Sequence, residues 1–72
     1  MPNALETQFA NQDSAREAYE AALKTLNEHR ALMAGGLTGY RAISDLQRFE
    51  HKFQLALTAW KKEIAKTSAL IG

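Results

Sequence analysis

Apolar residues recur every three or four positions along the second half of the chain, from Tyr40 to Leu70. The recurring positions are Ile43, Leu46, Phe49, Phe53, Leu57, Trp60, Ile64 and Ile71. At about 100° per residue they gather into one stripe, which is the pattern of an amphipathic helix. No proline or glycine interrupts this segment, and a helix of about 31 residues would be roughly 46 Å long. A helix with so large an apolar stripe must bury it against another surface.

A second periodic segment precedes this one. Its apolar positions are Leu5, Phe9, Ala15, Tyr19, Ala22, Leu23, Leu26 and Met33. These residues are mostly smaller than those of the later stripe, and small residues opposite large ones let two helices interdigitate closely. The two segments are therefore predicted to pack on each other.

Two places in the first segment match a helix start. Asn3 followed by Glu6, and Ser14 followed by Glu17, each place a carboxylate three residues after a capping side chain. The sequence thus predicts either one helix from Ala4 to Ala34 or a short turn followed by a helix from Ala15. The long helix is favoured because the early apolar residues continue the later stripe.

The connection between the two segments predicts a hairpin. Gly35-Gly36 should end the first helix, since glycine readily adopts the left-handed conformation found at helix C-termini. Thr38 is the expected N-cap of the second helix. A connection this short forces the helices to run antiparallel. Counting outward from the turn gives the register: Leu26 near Phe49, Ala22 and Tyr19 near Phe53, and Phe9 near Ile64. The predicted fold is all-α, a single helical-hairpin domain over residues 1–72.

Composition and charge narrow the class of protein. The chain has no cysteine, and hence no disulfide framework or thiolate metal site. Met1–Glu6 lacks the basic and apolar regions of a secretory signal, and no apolar run reaches the roughly 20 residues of a membrane span. We therefore expect a cytoplasmic protein with no membrane segment. Residues 1–34 carry five acids and three bases, a net of −2, and residues 35–72 carry six bases and three acids, a net of +3. Opposite charges modestly favour the antiparallel pairing.

Catalytic and metal-binding residues are not indicated. His29 and His51 are the two histidines, and neither has a second ligand at a spacing that would place both on one helix face. No serine stands at a spacing from a histidine that suggests a triad, and Gly35-Gly36 lacks the context of a phosphate loop. We expect no enzyme, no cofactor and no metal.

Basic residues form a face of the second helix opposite its apolar stripe. They are Arg41, Arg48, Lys52, Lys62 and Lys66, with Leu55 among them. Such a face is usually solvated, although it could contact an acidic protein or a phosphate backbone. No aromatic residue is interleaved with these bases, and the net charge of the chain is only +1. Both facts argue against nucleic acid.

The apolar stripe of the second helix points instead to a protein partner. Two helices can bury apolar surface only against each other, so the flanks of the stripe must stay partly exposed to water and their free energy of burial is not gained. Small scaffolds usually recover this free energy by association. We predict binding to another chain, or self-association when the chain is alone. The predicted partner-binding residues are Phe49, Phe53, Leu57, Trp60 and Ile64.

The chain resembles the co-chaperones of type III secretion needle subunits, the YscE/PscE/SsaE-like proteins. The resemblance lies in Leu5-Glu6, in Ala22–Leu26, in the Gly35-Gly36 turn, in Tyr40 just after it, and in the apolar run of the second helix. It implies a short cytoplasmic hairpin. It also implies a partner, a tetratricopeptide-like chaperone, together with which the hairpin keeps the needle subunit monomeric before export.

Two alternatives stay open. Leu46-Gln47 and Phe53–Leu57 look like the C-terminal helix of a needle or inner-rod subunit, which would polymerise through the same hairpin. Those subunits usually carry prolines in the turn, where this chain has Gly35-Gly36, and this departure favours the co-chaperone. The second alternative is a small helical regulator that binds nucleic acid through the basic face.

Overall fold

Residues 3–72 form two long antiparallel α-helices in a computed structural model of the chain. The first helix, α1, spans Ala4–Ala34, and the second, α2, spans Tyr40–Ile71. Together they make a rod with extents of 51, 16 and 16 Å. The predicted all-α hairpin is confirmed. The part of the secretory-signal argument that rests on Met1 and Pro2 lies outside the described residues.

The first helix begins at the predicted cap and runs without a break. Asn3 has an extended backbone, and its Oδ1 accepts a hydrogen bond from the Glu6 N–H at 2.8 Å, which satisfies a donor in the first turn of the helix. The second matching place, at Ser14, lies inside the helix and does not restart it. Of the two predicted arrangements, the long helix is correct.

The glycine pair ends α1 as predicted. Gly36 has a φ of +116°, a conformation that a residue with a Cβ rarely adopts. The N–H groups of Gly36 and Leu37 donate to the carbonyls of Met33 and Leu32, at 3.1 and 3.0 Å. These two bonds form the Schellman arrangement that terminates many helices. The chain then needs three further residues before α2 begins.

The start of α2 differs from the prediction. Gly39, and not Thr38, is the N-cap, and no side chain accepts a hydrogen bond there. Gly39 has a φ of +111°, so the chain makes its last change of direction one residue later than the sequence suggested. The Thr38 prediction was wrong because the turn uses a glycine conformation at the position next to the helix.

The two helices meet along a seam, in which successive residues of each helix are alternately three and four positions apart. On α1 the seam comprises Leu5, Gln8, Gln12, Ala15, Tyr19, Ala22, Leu26, His29 and Met33. On α2 it comprises Ala42, Leu46, Phe49, Phe53, Ala56, Trp60, Glu63 and Thr67. This alternation is the a/d pattern of a coiled coil. Its most buried apolar residues are Leu26 and Ala42, at 1% and 5% exposure.

The register agrees with the count made outward from the turn. The rings of Tyr19 and Phe53 lie 5.4 Å apart, as the predicted pairing requires. Near the turn, His29 Nε2 donates to the Ala42 carbonyl at 2.8 Å. Within residues 3–72, neither helix is both long and apolar enough to cross a membrane.

Candidate functional site

The seam divides the surface of the hairpin into two sides. On one side Arg30 of α1 pairs with Glu50 of α2, with 3.5 Å between Nη2 and Oε1. On the other side Thr25 of α1 and Lys52 of α2 line a shallow cavity of about 260 Å³. Because positions in a coiled coil repeat every seven residues, these two pairs fix the side on which the other residues next to the seam lie.

The side that carries Arg30 and Glu50 presents a partly open apolar surface. Its members lie seven residues, or a multiple of seven, from Arg30 on α1 or from Glu50 on α2. We call these six residues the apolar flank: Phe9, Leu23, Ile43, Leu57, Ile64 and Ile71. Leu23 and Leu57 are half-buried, and the other four are between 40% and 65% exposed. The flank is the candidate functional surface of the molecule.

The charged residues that share the heptad position of the apolar flank are paired inside the molecule. Arg16 lies between Phe9 and Leu23 in the seven-residue repeat, and its guanidinium is 3.6 Å from the Asp13 carboxylate and 4.0 Å from that of Glu20. Arg30 and Glu50 pair with each other. A partner that covers the flank therefore meets neutralised charges beside aliphatic and aromatic surface, which lowers the cost of removing water from it.

Three of the predicted partner-binding residues lie in the seam. Phe49 packs edge-on to His29 with 5.2 Å between ring centroids, and Trp60 stacks on Tyr19 at 5.0 Å. Phe53 also contacts Tyr19. All three predicted residues are half-buried. Their rings contact α1 and help to hold the two helices together.

The other two predicted partner-binding residues, Leu57 and Ile64, lie on the apolar flank. Leu57 is half-buried and Ile64 is 40% exposed. The structure therefore brings the five predicted residues onto one helix but divides them between two roles. The aromatic residues line the seam, and the aliphatic residues face outward beside it.

One polar atom in the seam has no partner. The indole Nε1 of Trp60 is buried, and no acceptor lies within hydrogen-bond distance among the residues that the structure describes. An unpaired buried donor costs free energy, typically about 1–3 kcal/mol. The stacking of the ring on Tyr19 offsets part of this cost.

Sequence periodicity missed the polar residues of the seam. Gln8 and Thr67 are buried and Glu63 is half-buried, although each of them lies outside the apolar stripe of its own helix. Gln8 donates to Glu63 across the hairpin, and the Thr67 hydroxyl donates to the Glu63 carbonyl at 3.0 Å. The signal that could have identified them is the strict alternation of three-residue and four-residue spacings along each helix. Gln8, Glu63 and Thr67 keep this alternation, and Phe9 and Ile64 break it.

The environment of Glu63 favours its ionised form. The hydrogen bond from Gln8 has the largest effect on the pKa of this carboxyl, and the hydrogen bond from Lys66 comes next; together they hold it below the ordinary value of 4.5. Partial burial acts in the opposite direction, and the charge of Lys66 adds a smaller lowering.

The opposite side of the hairpin carries the predicted basic face. Its five residues, Arg41, Arg48, Lys52, Lys62 and Lys66, are all exposed. Two of them have acidic neighbours, since Arg48 lies 3.2 Å from Asp45 and Lys66 lies 3.2 Å from Glu63. Leu55 stands among them at 58% exposure. This side matches the description of a solvated face, with one exposed leucine.

The two histidines have different surroundings. His29 is buried in the seam, and His51 is exposed. Across residues 3–72, no group of three or more His, Asp or Glu side chains is placed to hold a metal ion.

Comparisons with protein-family models, with curated proteins and with solved structures find no match to this chain.

Proposed function

We propose that this hairpin is a binding module. Its proposed role is that of a cytoplasmic co-chaperone in a type III secretion system. It would pair with a helical-repeat chaperone of the tetratricopeptide-like kind, and the pair would keep the needle subunit soluble and monomeric before export. The observation that carries the proposal is the apolar flank, which leaves large aliphatic and aromatic side chains open along one side of the rod.

The pattern of the flank supports binding to other helices. A helix that packs against one neighbour needs apolar residues only at the a and d positions of its heptads. Here both helices add apolar residues at a third position, beside the seam, which is the pattern of helices in a larger bundle. Ile64 and Phe9 are examples, and both remain at least 40% exposed in the hairpin. A further layer of helices would complete their burial.

The shape of the molecule suits a helical-repeat partner. Stacked helical repeats form extended concave surfaces, and a rod 51 Å long and 16 Å wide presents its flank along one line. The assignment to a secretion system rests on the resemblance of the sequence. The hairpin fold agrees with the short helical hairpin that this resemblance implies.

The five predicted partner-binding residues would contribute in two ways. Leu57 and Ile64 would touch the partner directly, because they lie on the flank. Phe49, Phe53 and Trp60 would act mainly by holding the two helices at the right spacing, because their rings lie in the seam. Truncation of a flank residue should therefore weaken binding while helicity is kept, and truncation of a seam aromatic should weaken both.

A co-purification experiment with matched variants tests the proposal. Tagged wild-type chain, Ile64→Glu and the control Leu55→Glu, whose leucine lies on the opposite side, are expressed in the source cell, and the captured chains are identified by mass spectrometry. We expect the wild type and Leu55→Glu to capture a helical-repeat protein together with a secreted subunit, and Ile64→Glu to lose both. Capture of unrelated chains, or capture that Ile64→Glu leaves unchanged, would overturn the proposal.

A structural subunit is the alternative that the same flank allows. A needle or inner-rod subunit would use the apolar surface to join copies end to end or side by side without limit. Electron microscopy of the concentrated protein separates the two functions, because a filament subunit grows into long polymers and a co-chaperone stops at a small assembly.

A further inference from the structure

Free hairpins leave more surface exposed than compact proteins of their mass. The accessible surface of this chain is 5384 Å² for a mass of 8.0 kDa. A compact monomer of that mass exposes about 4,450 Å². The excess of roughly 900 Å² is close to the 800 Å² that each partner contributes to an interface of standard size. The surface that a stable dimer needs is therefore present.

We propose that in the absence of another partner the apolar flank is covered by a second copy of this chain, giving a two-fold symmetric four-helix bundle in which α1 of each copy lies on α2 of the other and both turns point to the same end. This inference goes beyond the proposed function, since it needs only the flank and not the identity of a secretion partner.

The charges of the two helices select this arrangement over the other symmetric one. If the turns pointed to opposite ends, α1 would lie on α1 of the second copy. The outer edge of the flank on α1 carries three carboxylates, Glu6, Asp13 and Glu20. Two antiparallel copies of α1 would bring these two negatively charged edges together, with Glu20, the one nearest the middle of Ala4–Ala34, beside its own copy. On α2 the corresponding edge carries Lys61 and otherwise uncharged residues. Like charges repel and opposite charges attract, so α1 is better placed on α2.

The levels of the residues along the rod also fit. Gln8 and Glu63 are hydrogen-bonded across the seam, and the next residues, Phe9 and Ile64, follow in opposite directions along the rod, so their levels differ by about two residues, or roughly 3 Å. A two-fold axis parallel to the rod keeps every residue at its own level. Phe9 of one copy therefore meets Ile64 of the second copy. Asp13 comes to within about three residues of the level of Lys61 of the second copy, or roughly 4.5 Å at about 1.5 Å per residue. Every neighbouring pair of helices in this bundle is antiparallel, as in up-and-down four-helix bundles.

Sedimentation equilibrium of the purified full chain tests the association. We expect the wild type to approach twice the mass of 8.0 kDa as concentration rises. Ile64→Glu should raise the dimer dissociation constant by at least tenfold, as should Ile43→Glu, at a flank residue 51% exposed in the hairpin. Leu55→Glu, on the opposite side, should leave it within about twofold of the wild type. Circular dichroism of each variant confirms that the helices persist, and Ile43→Glu serves if Ile64→Glu does not fold.

The arrangement has its own test, because the chain contains no cysteine and a single one can be introduced for labelling. In Thr38→Cys, a spin label on each turn should give a distance nearer to the 16 Å width of a hairpin than to its 51 Å length. A distance near 51 Å would overturn the arrangement. A wild-type chain that stays monomeric at the highest concentration would overturn the dimer itself, and a Leu55→Glu variant that dissociates as readily as Ile64→Glu would overturn the apolar flank as its interface. Capture of a helical-repeat chaperone by a chain that is monomeric when alone would leave the proposed function standing.

Discussion

Gln8 donates two hydrogen bonds to Glu63, one to the carboxylate at 2.7 Å and one to the backbone carbonyl at 3.0 Å. These bonds join the open ends of the two helices across 55 residues of chain. Gln8 is 8% exposed, so it is shielded from water that would compete for its amide. A polar pair thus closes the seam at the end where neither helix is held by the turn.

The Gln8–Glu63 contact should make stability depend on pH. The pKa of Glu63 is lower in the folded chain than its ordinary value of 4.5, so the folded state favours the ionised carboxylate. The contribution is therefore fully present above about pH 4.5 and is lost as pH falls through the folded pKa. Urea unfolding at pH 7 and at pH 3, at one protein concentration, should show wild type and Glu63→Gln differing more at pH 7.

Glu17→Gln is the control for that experiment. Glu17 is an exposed carboxylate of α1 that makes no ion pair or side-chain hydrogen bond within residues 3–72. Its removal should leave the pH dependence close to that of the wild type. If the difference between wild type and Glu63→Gln is the same at both pH values, the hydrogen bonds do not favour the ionised form.

Leu26 should be the most sensitive apolar position. It is 1% exposed in the middle of the seam, and truncation of a buried leucine to alanine typically costs about 2–5 kcal/mol. A hairpin of this size has little stability to spare, so Leu26→Ala should lose most of its helicity at room temperature. Thermal melts followed by circular dichroism measure the effect. Leu55→Ala, at a site 58% exposed, should change stability by about 0.5 kcal/mol or less. An equal loss of stability in both variants would contradict the placement of Leu26 in the seam.

The two glycines of the turn should respond differently to alanine. Gly36 has a φ of +116°, so Gly36→Ala should cost about 1–2 kcal/mol of folding free energy through backbone strain. Gly35 has a φ of −82°, and an added Cβ would meet its nearest atoms at 3.5 and 3.6 Å, which is ordinary contact. Gly35→Ala should be neutral or stabilising by up to about 1 kcal/mol, because it restricts the unfolded chain. Chemical denaturation of the two variants side by side checks the order.

Trp60 offers a test of its unpaired indole. Trp60→Phe keeps an aromatic ring against Tyr19 and removes the buried donor. It should therefore destabilise the hairpin much less than Trp60→Ala, which we expect to cost about 3 kcal/mol. The free energies of unfolding come from urea titrations followed by circular dichroism. If Trp60→Phe proves as damaging as Trp60→Ala, the indole N–H makes a favourable hydrogen bond in solution.

The helices and their register follow from short-range features of the sequence. A capping asparagine, a glycine pair and long segments without proline or glycine act within a few residues of their own positions, so the limits of both helices could be predicted closely. The register followed because a short turn leaves little freedom. The exception was the start of α2, where Gly39 and not Thr38 occupies the cap.

The rotation of each helix about its axis could not be predicted in the same way. The apolar arc on each helix is wider than the seam of a two-helix hairpin, and periodicity does not say which part of the arc faces inward. The polar pair of Gln8 and Glu63 satisfies its own hydrogen bonds, and this allows it to occupy the seam while Phe9 and Ile64 move to the flank. Such a choice depends on partners 55 residues apart, which a local pattern does not contain.

The single short turn also sets the order in which the hairpin can open. The contact of His29 with Ala42 closes a loop of 13 residues, whereas that of Gln8 with Glu63 closes one of 55. The entropy of loop closure makes the longer one about 1.3 kcal/mol more costly when it forms independently. Contacts near the turn should form first and break last, and the open ends should fray first. Amide hydrogen exchange should accordingly be fastest at the open end of each helix. It should become slower toward the middle of the half of each helix that lies next to the turn.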